Sequence, residues 1–184
     1  MPRLFTALEI PPDITRALVL YRGGLPGARW IEPEDYHITL RFLGDIDGPT
    51  AREVSADLAE TADRAPFRVE LDALDGFGGD KPRSIHARVV PTPDLSRLQA
   101  DQERALRRAG VRLETRKFTP HVTLARLRGV RAADVAAFIA RAGHFPSLAF
   151  TAERFVLMSS RDSVGGGPYR IEAAYPFMEP GEPE

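Results

Sequence analysis

Two tetrapeptides of one pattern carry side chains able to do chemistry: His37-Ile38-Thr39-Leu40 and His121-Val122-Thr123-Leu124. In a β-strand, residues i and i+2 share a face. Each motif therefore offers an imidazole and a hydroxyl side by side, with its apolar residues turned to a core. Two such strands facing each other would line a small pocket with two imidazoles and two hydroxyls. Such a pocket suits a phosphate group, with one His to give a proton and the other to take it. The chain has four His and ten Thr. Two His-x-Thr matches among four His arise by chance in roughly two cases in a hundred, before the shared Leu is counted.

Hydrolysis at a bound phosphate ester would need a water made nucleophilic and a leaving oxygen protonated. An imidazole near pKa 6.5 serves either purpose near neutrality, so the expected pH profile is a bell. Thr39 and Thr123 would donate hydrogen bonds to the non-bridging oxygens as charge gathers there. No metal site is expected, because His with Thr is a poor ligand set without carboxylates, and no cofactor is implied. Arg126 is a candidate substrate contact. It stands five residues after His121, so on a regular strand it would point to the opposite face and reach the site only if the strand bends. Phe42, five after His37, is expected in the core, and Trp30 in the core or packing one lobe on another. His86 and His144 lack a Thr at +2 and read as structural or surface residues. Asp35 and Tyr36, in the turn before His37, could support it.

The elements that must position these residues follow from periodicity. Leu4–Ile10 reads as a strand ended by Pro11-Pro12, and Asp13–Tyr21 as a helix closed by Gly23-Gly24. Arg29–Ile31 is a short strand, and His37–Leu43 alternates up to Gly44. Pro49–Ala62 is a helix and Phe67–Leu74 a strand. The order then returns: strand Ile85–Val90, helix Asp94–Ala109, strand Phe118–Leu127 with the second motif, helix Ala132–Ala142, strand runs within Phe145–Met158, and strand Tyr169–Phe177. The two motif threonines lie 84 residues apart. This predicts one domain over residues 1–178 made of two similar lobes, each lending a His-x-Thr strand to a shared cleft. Gly165-Gly166-Gly167-Pro168 reads as a loop, and residues 179–184 as a flexible tail.

Composition sets outer bounds. With 184 residues, 43% hydrophobic and 28% charged, the chain fits a soluble globular protein without staples. It has no cysteine, so disulfide frameworks and thiolate metal sites are excluded. The net charge of −1 gives no global basic field for long nucleic acid. Arg104, Arg107 and Arg108 read as a solvated helix face, whereas Arg126, Arg128 and Arg131 could form a local basic rim. No apolar h-region or membrane-length stretch is present, so a cytoplasmic protein is expected; a monomer is expected as well.

The paired motifs resemble those of the 2H phosphoesterase superfamily, in particular its bacterial and archaeal RNA 2′,3′-cyclic phosphodiesterases, also called 2′-5′ RNA ligases. Further matching stretches are Arg3-Leu4-Phe5-Thr6-Ala7-Leu8, Arg29-Trp30, Arg41-Phe42-Leu43-Gly44, Phe118-Thr119-Pro120, Ala125-Arg126, Phe155-Val156-Leu157 and Ser159-Ser160-Arg161. The resemblance implies a bilobal α+β fold, with antiparallel sheets lining a central cleft and helices outside. It implies RNA ends or nucleotides carrying a 2′,3′-cyclic phosphate as partners, His37 as proton donor to the 3′ oxygen, His121 as the base, and a 2′-phosphate product. The spacing alone does not separate the roles of the two His. Alternatives are the reverse reaction, 2′-5′ ligation of tRNA halves, and an RNA-end-binding protein without turnover. The latter would favour Arg or Lys over two imidazoles. A metal-binding protein using all four His lacks ligand spacing.

Overall fold

The computed structural model describes residues 3–160 and 167–178. Arg161, Gly165, Gly166 and the whole 179–184 tail lie outside them. The fold is α+β, built on one open antiparallel sheet of nine strands with four helices. The strands are β1 Arg3–Glu9, β2 Ala28–Trp30, β3 His37–Gly44, β4 Phe67–Phe77, β5 Ser84–Val89, β6 His121–Leu127, β7 Leu148–Ala152, β8 Arg154–Ser160 and β9 Tyr169–Pro176. The helices are α1 Pro12–Val19, α2 Gly48–Glu60, α3 Pro93–Arg108 and α4 Ala132–Ala142. These lie within a few residues of the positions that periodicity indicates. One shift bears on the site: β6 starts at His121 rather than Phe118. Pro120 has no N–H to give to a ladder and biases Thr119 before it.

The sheet runs β7-β4-β5-β6-β3-β1-β8-β9, with β2 beside β6. The two motif strands therefore sit at its middle. They meet at a single residue pair, Ile38 opposite Val122. Beyond it the free edge of β6 is taken by β2, with Trp30 opposite Ala125 and Ala28 opposite Leu127. Each half holds a strand from the other stretch of chain: β4, after α2, pairs with β5, while β8, after β7, pairs with β1.

Helix stripes cover one face of the sheet. Ile14 and Leu18 of α1, Val54 and Leu58 of α2, and Leu95, Leu98 and Leu106 of α3 are buried in one cluster with Leu8, Ile38, Leu40, Val122 and Leu124. α4 buries Val135 and Phe138 against Ile85 and Ala125. Trp30 packs there too, its ring 5.7 Å from Phe138, so it is a packing residue. Asp47 and Thr92 cap α2 and α3 by accepting from Thr50 N at 2.8 Å and Leu95 N at 3.3 Å. A smaller cluster, Phe5, Ala7, Val156 and Met158, forms on a separate surface with Tyr169 packed against it.

Both motif strands carry a β-bulge at the same place. On β3, Thr39 is opposite Ala7 but Arg41 is opposite Thr6, so Leu40 is the extra residue. On β6, Thr123 is opposite His86 but Ala125 is opposite Ile85, so Leu124 is the extra residue. A bulge resets the alternation of faces. Leu40 and Arg41 are accordingly both buried, as are Leu124 and Ala125, and the residues that follow, Phe42 and Arg126, turn outward. Phe42 is 63% exposed, which overturns its expected place in the core.

Ile38 and Val122 are both fully buried and join the two halves. Ile38→Ala should therefore lower stability by about 2–5 kcal/mol, seen as a lower denaturant midpoint at unchanged slope. A cost below about 1 kcal/mol would show that the flanking strands hold the halves together without this pair.

Candidate active site

The pair Ile38–Val122 sets the geometry of the site. Both side chains point into the helix-covered core, so parity sends His37, Thr39, His121 and Thr123 to the other face. The same register carries His37 toward Thr123 and Thr39 toward His121 across the junction. The structure thus brings together the four residues that the motifs single out. His37 and His121 are close enough for the charge of one to disfavour charge on the other.

Backbone carbonyls orient both rings. His37 Nδ1 lies 2.8 Å from Asp35 O, and His121 Nδ1 lies 2.7 Å from Thr119 O. A carbonyl only accepts, so each Nδ1 carries a proton, and in the neutral ring each Nε2 keeps its lone pair. The two Nε2 atoms differ in their partners. That of His37 is 2.9 Å from Thr39 Oγ1, which donates to it when the ring is neutral. Among the described residues no hydrogen bond joins Thr123 to His121.

Aromatic rings wall in each imidazole. His37 packs against Phe5, at 5.1 Å between centroids, and edge-on against Tyr169 at 4.9 Å. His121 packs edge-on against Phe77 at 4.8 Å and against His86 at 5.1 Å. This burial is the main reason that His37 is pushed down to about 4; the carbonyl of Asp35 opposes it, and His121 and Arg126 add to it. His121 is also lowered, first by burial and then by Arg126, against the carbonyl of Thr119.

Arg126 reaches this face because of the bulge at Leu124, and its charge bears on both imidazoles. Arg29 stands directly opposite it on β2. Among the described residues no carboxylate pairs with Arg126. Of the other cations, Arg131 is held by Asp134, and Arg104 and Arg107 are held by Asp101 and Glu103 on α3. The α3 residues match a solvated helix face.

Asp35 supports His37 by its carbonyl, while its carboxylate accepts from Tyr169 N at 3.2 Å. Gly167 approaches that carboxylate so closely, at φ +89°, that a Cβ there would overlap it. Tyr36 is instead a buried core residue. His144 is exposed after α4. His86 is the residue whose place motif reasoning misses. It is 2% exposed, stacked on Phe77 at 4.1 Å, and against His121. No local pattern marks it, since it reaches the site by pairing β5 with β6. Among the described residues no three of His, Cys, Asp or Glu gather to hold a metal ion.

Known proteins resemble this chain in sequence and in fold. An RNA 2′,3′-cyclic phosphodiesterase of Bacillus subtilis is 35% identical over 130 residues, 68% of this chain and 71% of that protein. One of Aeropyrum pernix is 39% identical over 110 residues, 59% of this chain and 61% of that protein. In fold, a protein of Thermus thermophilus superposes with a TM-score of 0.79 at 24% identity, over 98% of this chain and 99% of its own. Escherichia coli LigT, in complex with 3′-AMP, does so with a TM-score of 0.76 at 22% identity, over 97% of this chain and 100% of its own. The family model described as the 2′-5′ RNA ligase superfamily matches residues 22–163, which takes in both motifs and every strand but the first and last of the chain. The chain belongs to that superfamily, the 2H phosphoesterases.

Proposed function

We propose that this chain hydrolyses the 2′,3′-cyclic phosphate of RNA ends or nucleotides to a 2′-phosphate, by general acid–base catalysis between His37 and His121 without a metal. The observation that carries the reading is the pair of imidazoles, each locked by a carbonyl at Nδ1 and each beside a threonine hydroxyl on one shared face. The relatives from Bacillus subtilis and Aeropyrum pernix, named for this activity, support it. The whole of residues 1–178 acts as one unit, because each half contributes one imidazole and neither alone has both.

His121 is the base. Its Nε2 lone pair is open to a water, whose proton it takes as the oxygen attacks phosphorus. His37 is the acid. When protonated, its Nε2–H gives the proton to O3′ as the P–O3′ bond breaks. Thr39 accepts from that N–H before transfer, which turns its own hydrogen toward a phosphate oxygen. Thr123 and Arg126 donate to the remaining oxygens. Exposed Phe42, beside Phe5 at 5.7 Å, offers the nucleobase an apolar face. No helix among the described residues is long and apolar enough to cross a membrane.

His37→Ala and His121→Ala should each lower kcat about 10²–10⁴-fold while leaving the thermal melt nearly unchanged. With a 2′,3′-cyclic RNA end in excess EDTA, phosphorus NMR should show only 2′-phosphate. A 3′-phosphate would reverse the bond assignment. Loss of turnover on chelation, restored by one metal ion, would sink the metal-free mechanism.

The pH dependence follows from the lowered imidazoles. Turnover needs His121 neutral and His37 protonated, and kcat/KM reports these groups in the free enzyme. His37 is at about 4 and His121 lies below its usual 6.5, so the kcat/KM bell should lie on the acid side of 6.5 and fall as pH rises through neutrality. An anionic phosphate stabilises the imidazolium, so the kcat profile should move to higher pH. A kcat/KM optimum above 7 would show that burial does not hold the two imidazoles low in the free protein.

A further inference from the structure

We propose that His86 is a positioning residue for His121, a neutral buried imidazole whose acceptor nitrogen supports the positive charge that His121 gains as it takes the proton from water. The inference rests on the reading of His121 as the base. Three features carry it. His86 stands opposite Thr123 on the site face, in ring contact with His121 at 5.1 Å and 61°. It is 2% exposed, and its Nδ1 is buried with no hydrogen-bond partner among the described residues. Such an atom is costly in a core and calls for a reason. Packing alone does not supply that reason. At the matching register position of the other half, opposite Thr39, stands Ala7, and the wall of His37 is completed by the carbon rings of Phe5 and Tyr169. Only the base is given a nitrogen-bearing ring for a wall.

The surroundings keep His86 uncharged, as the proposal requires. Burial is the main cause that lowers it to about 4, His121 and Arg88 lower it further, and Asp75, opposite on β4, opposes them. Arg88 is itself held by two bonds to Asp72, at 2.9 Å each. Arg126 on β6 bears on His121 and on His37, and His121 bears on His37 on β3. When His121 gains its proton, the nearby His86 therefore stays neutral. A ring with an available lone pair and π face favours the new cation. The stack on Phe77 at 4.1 Å holds that ring in place.

The test compares His86→Phe, which keeps the stacked ring and removes the nitrogens, with His86→Asn, which keeps a polar atom near the place of Nδ1. In the free protein, NMR titration of the ring protons should show His121 titrating lower in His86→Phe. The limb of kcat/KM that reports His121, the alkaline one because His37 is held lower, should move down with it, and kcat should fall about tenfold with KM little changed. His86→Asn should recover most of the loss. Wild-type titration and kcat in His86→Phe would overturn the proposal. So would equal damage from both variants with His121 titrating normally, since shape alone would then explain it. His121→Ala serves as the control. If it retains turnover, the reading of His121 as base fails, while the His121 titration in His86→Phe separately reports whether His86 acts on that ring.

Discussion

A single backbone pairing, Ile38 against Val122, bears the geometry of everything around it. Because these two side chains are fully buried on the helix side, strand parity leaves His37, Thr39, His121 and Thr123 no face but the other. A slip of one residue would bury the imidazoles in the aliphatic core and expose Ile38 and Val122. The apolar burial that stabilises the sheet and the alignment of the reacting groups are thus one constraint. It also explains why neighbouring positions in both motifs are so strongly apolar. Leu40 and Leu124 are bulge residues, and their burial lets each strand turn its next outward residue onto the site face. In one half that residue is Phe42 and in the other Arg126.

Burial has a second consequence at the imidazoles themselves. The aromatic walls that hold the rings also withdraw water from them, and that disfavours the charged form of each. The proposed acid–base pair needs one charged ring, whereas burial favours the neutral form of both. In the proposed reaction a phosphate anion supplies the missing countercharge, and its arrival favours an imidazolium in the place where the proton must be delivered. Carbonyl anchors at Asp35 and Thr119 keep the rings from turning while this happens, since Nδ1 stays protonated in both states.

Much of this was legible in the chain alone, because it depends on local periodicity. The His-x-Thr spacing implies one face, the apolar intervals imply the other, and the helix stripes of α1, α2 and α3 read directly from residue spacing. What local periodicity does not carry is register. A leucine is equally at home as a regular inward residue or as the extra residue of a bulge, so nothing in the motifs distinguishes the two. That ambiguity placed Phe42 in the core and left the direction of Arg126 open. His86, Phe77 and Tyr169 are separated from the motif imidazoles they touch by at least 35 residues, and only strand pairing brings them together. Asp35 was visible as a neighbour of His37. Yet the group that orients the ring is its carbonyl, which every residue has.

The two halves place similar motifs around the junction, and the asymmetry lies in what surrounds them. His37 has carbon rings for walls and a hydroxyl already bonded to Nε2; His121 has an imidazole in its wall and an open Nε2. The cross-strand neighbours differ as well. Glu9, tied to Arg154, stands opposite His37, whereas Arg88, tied to Asp72, stands opposite His121. Each of these charges is offset by its partner, so neither imposes a large field. On the proposed assignment, the distinction between donor and acceptor therefore arises from short-range features: which nitrogen is already engaged, which ring can shelter a new positive charge, and on which side Arg126 would draw the phosphate. In the proposed mechanism, two near-identical motifs become an acid and a base through the strands paired beside them, and those strands lie outside the motifs.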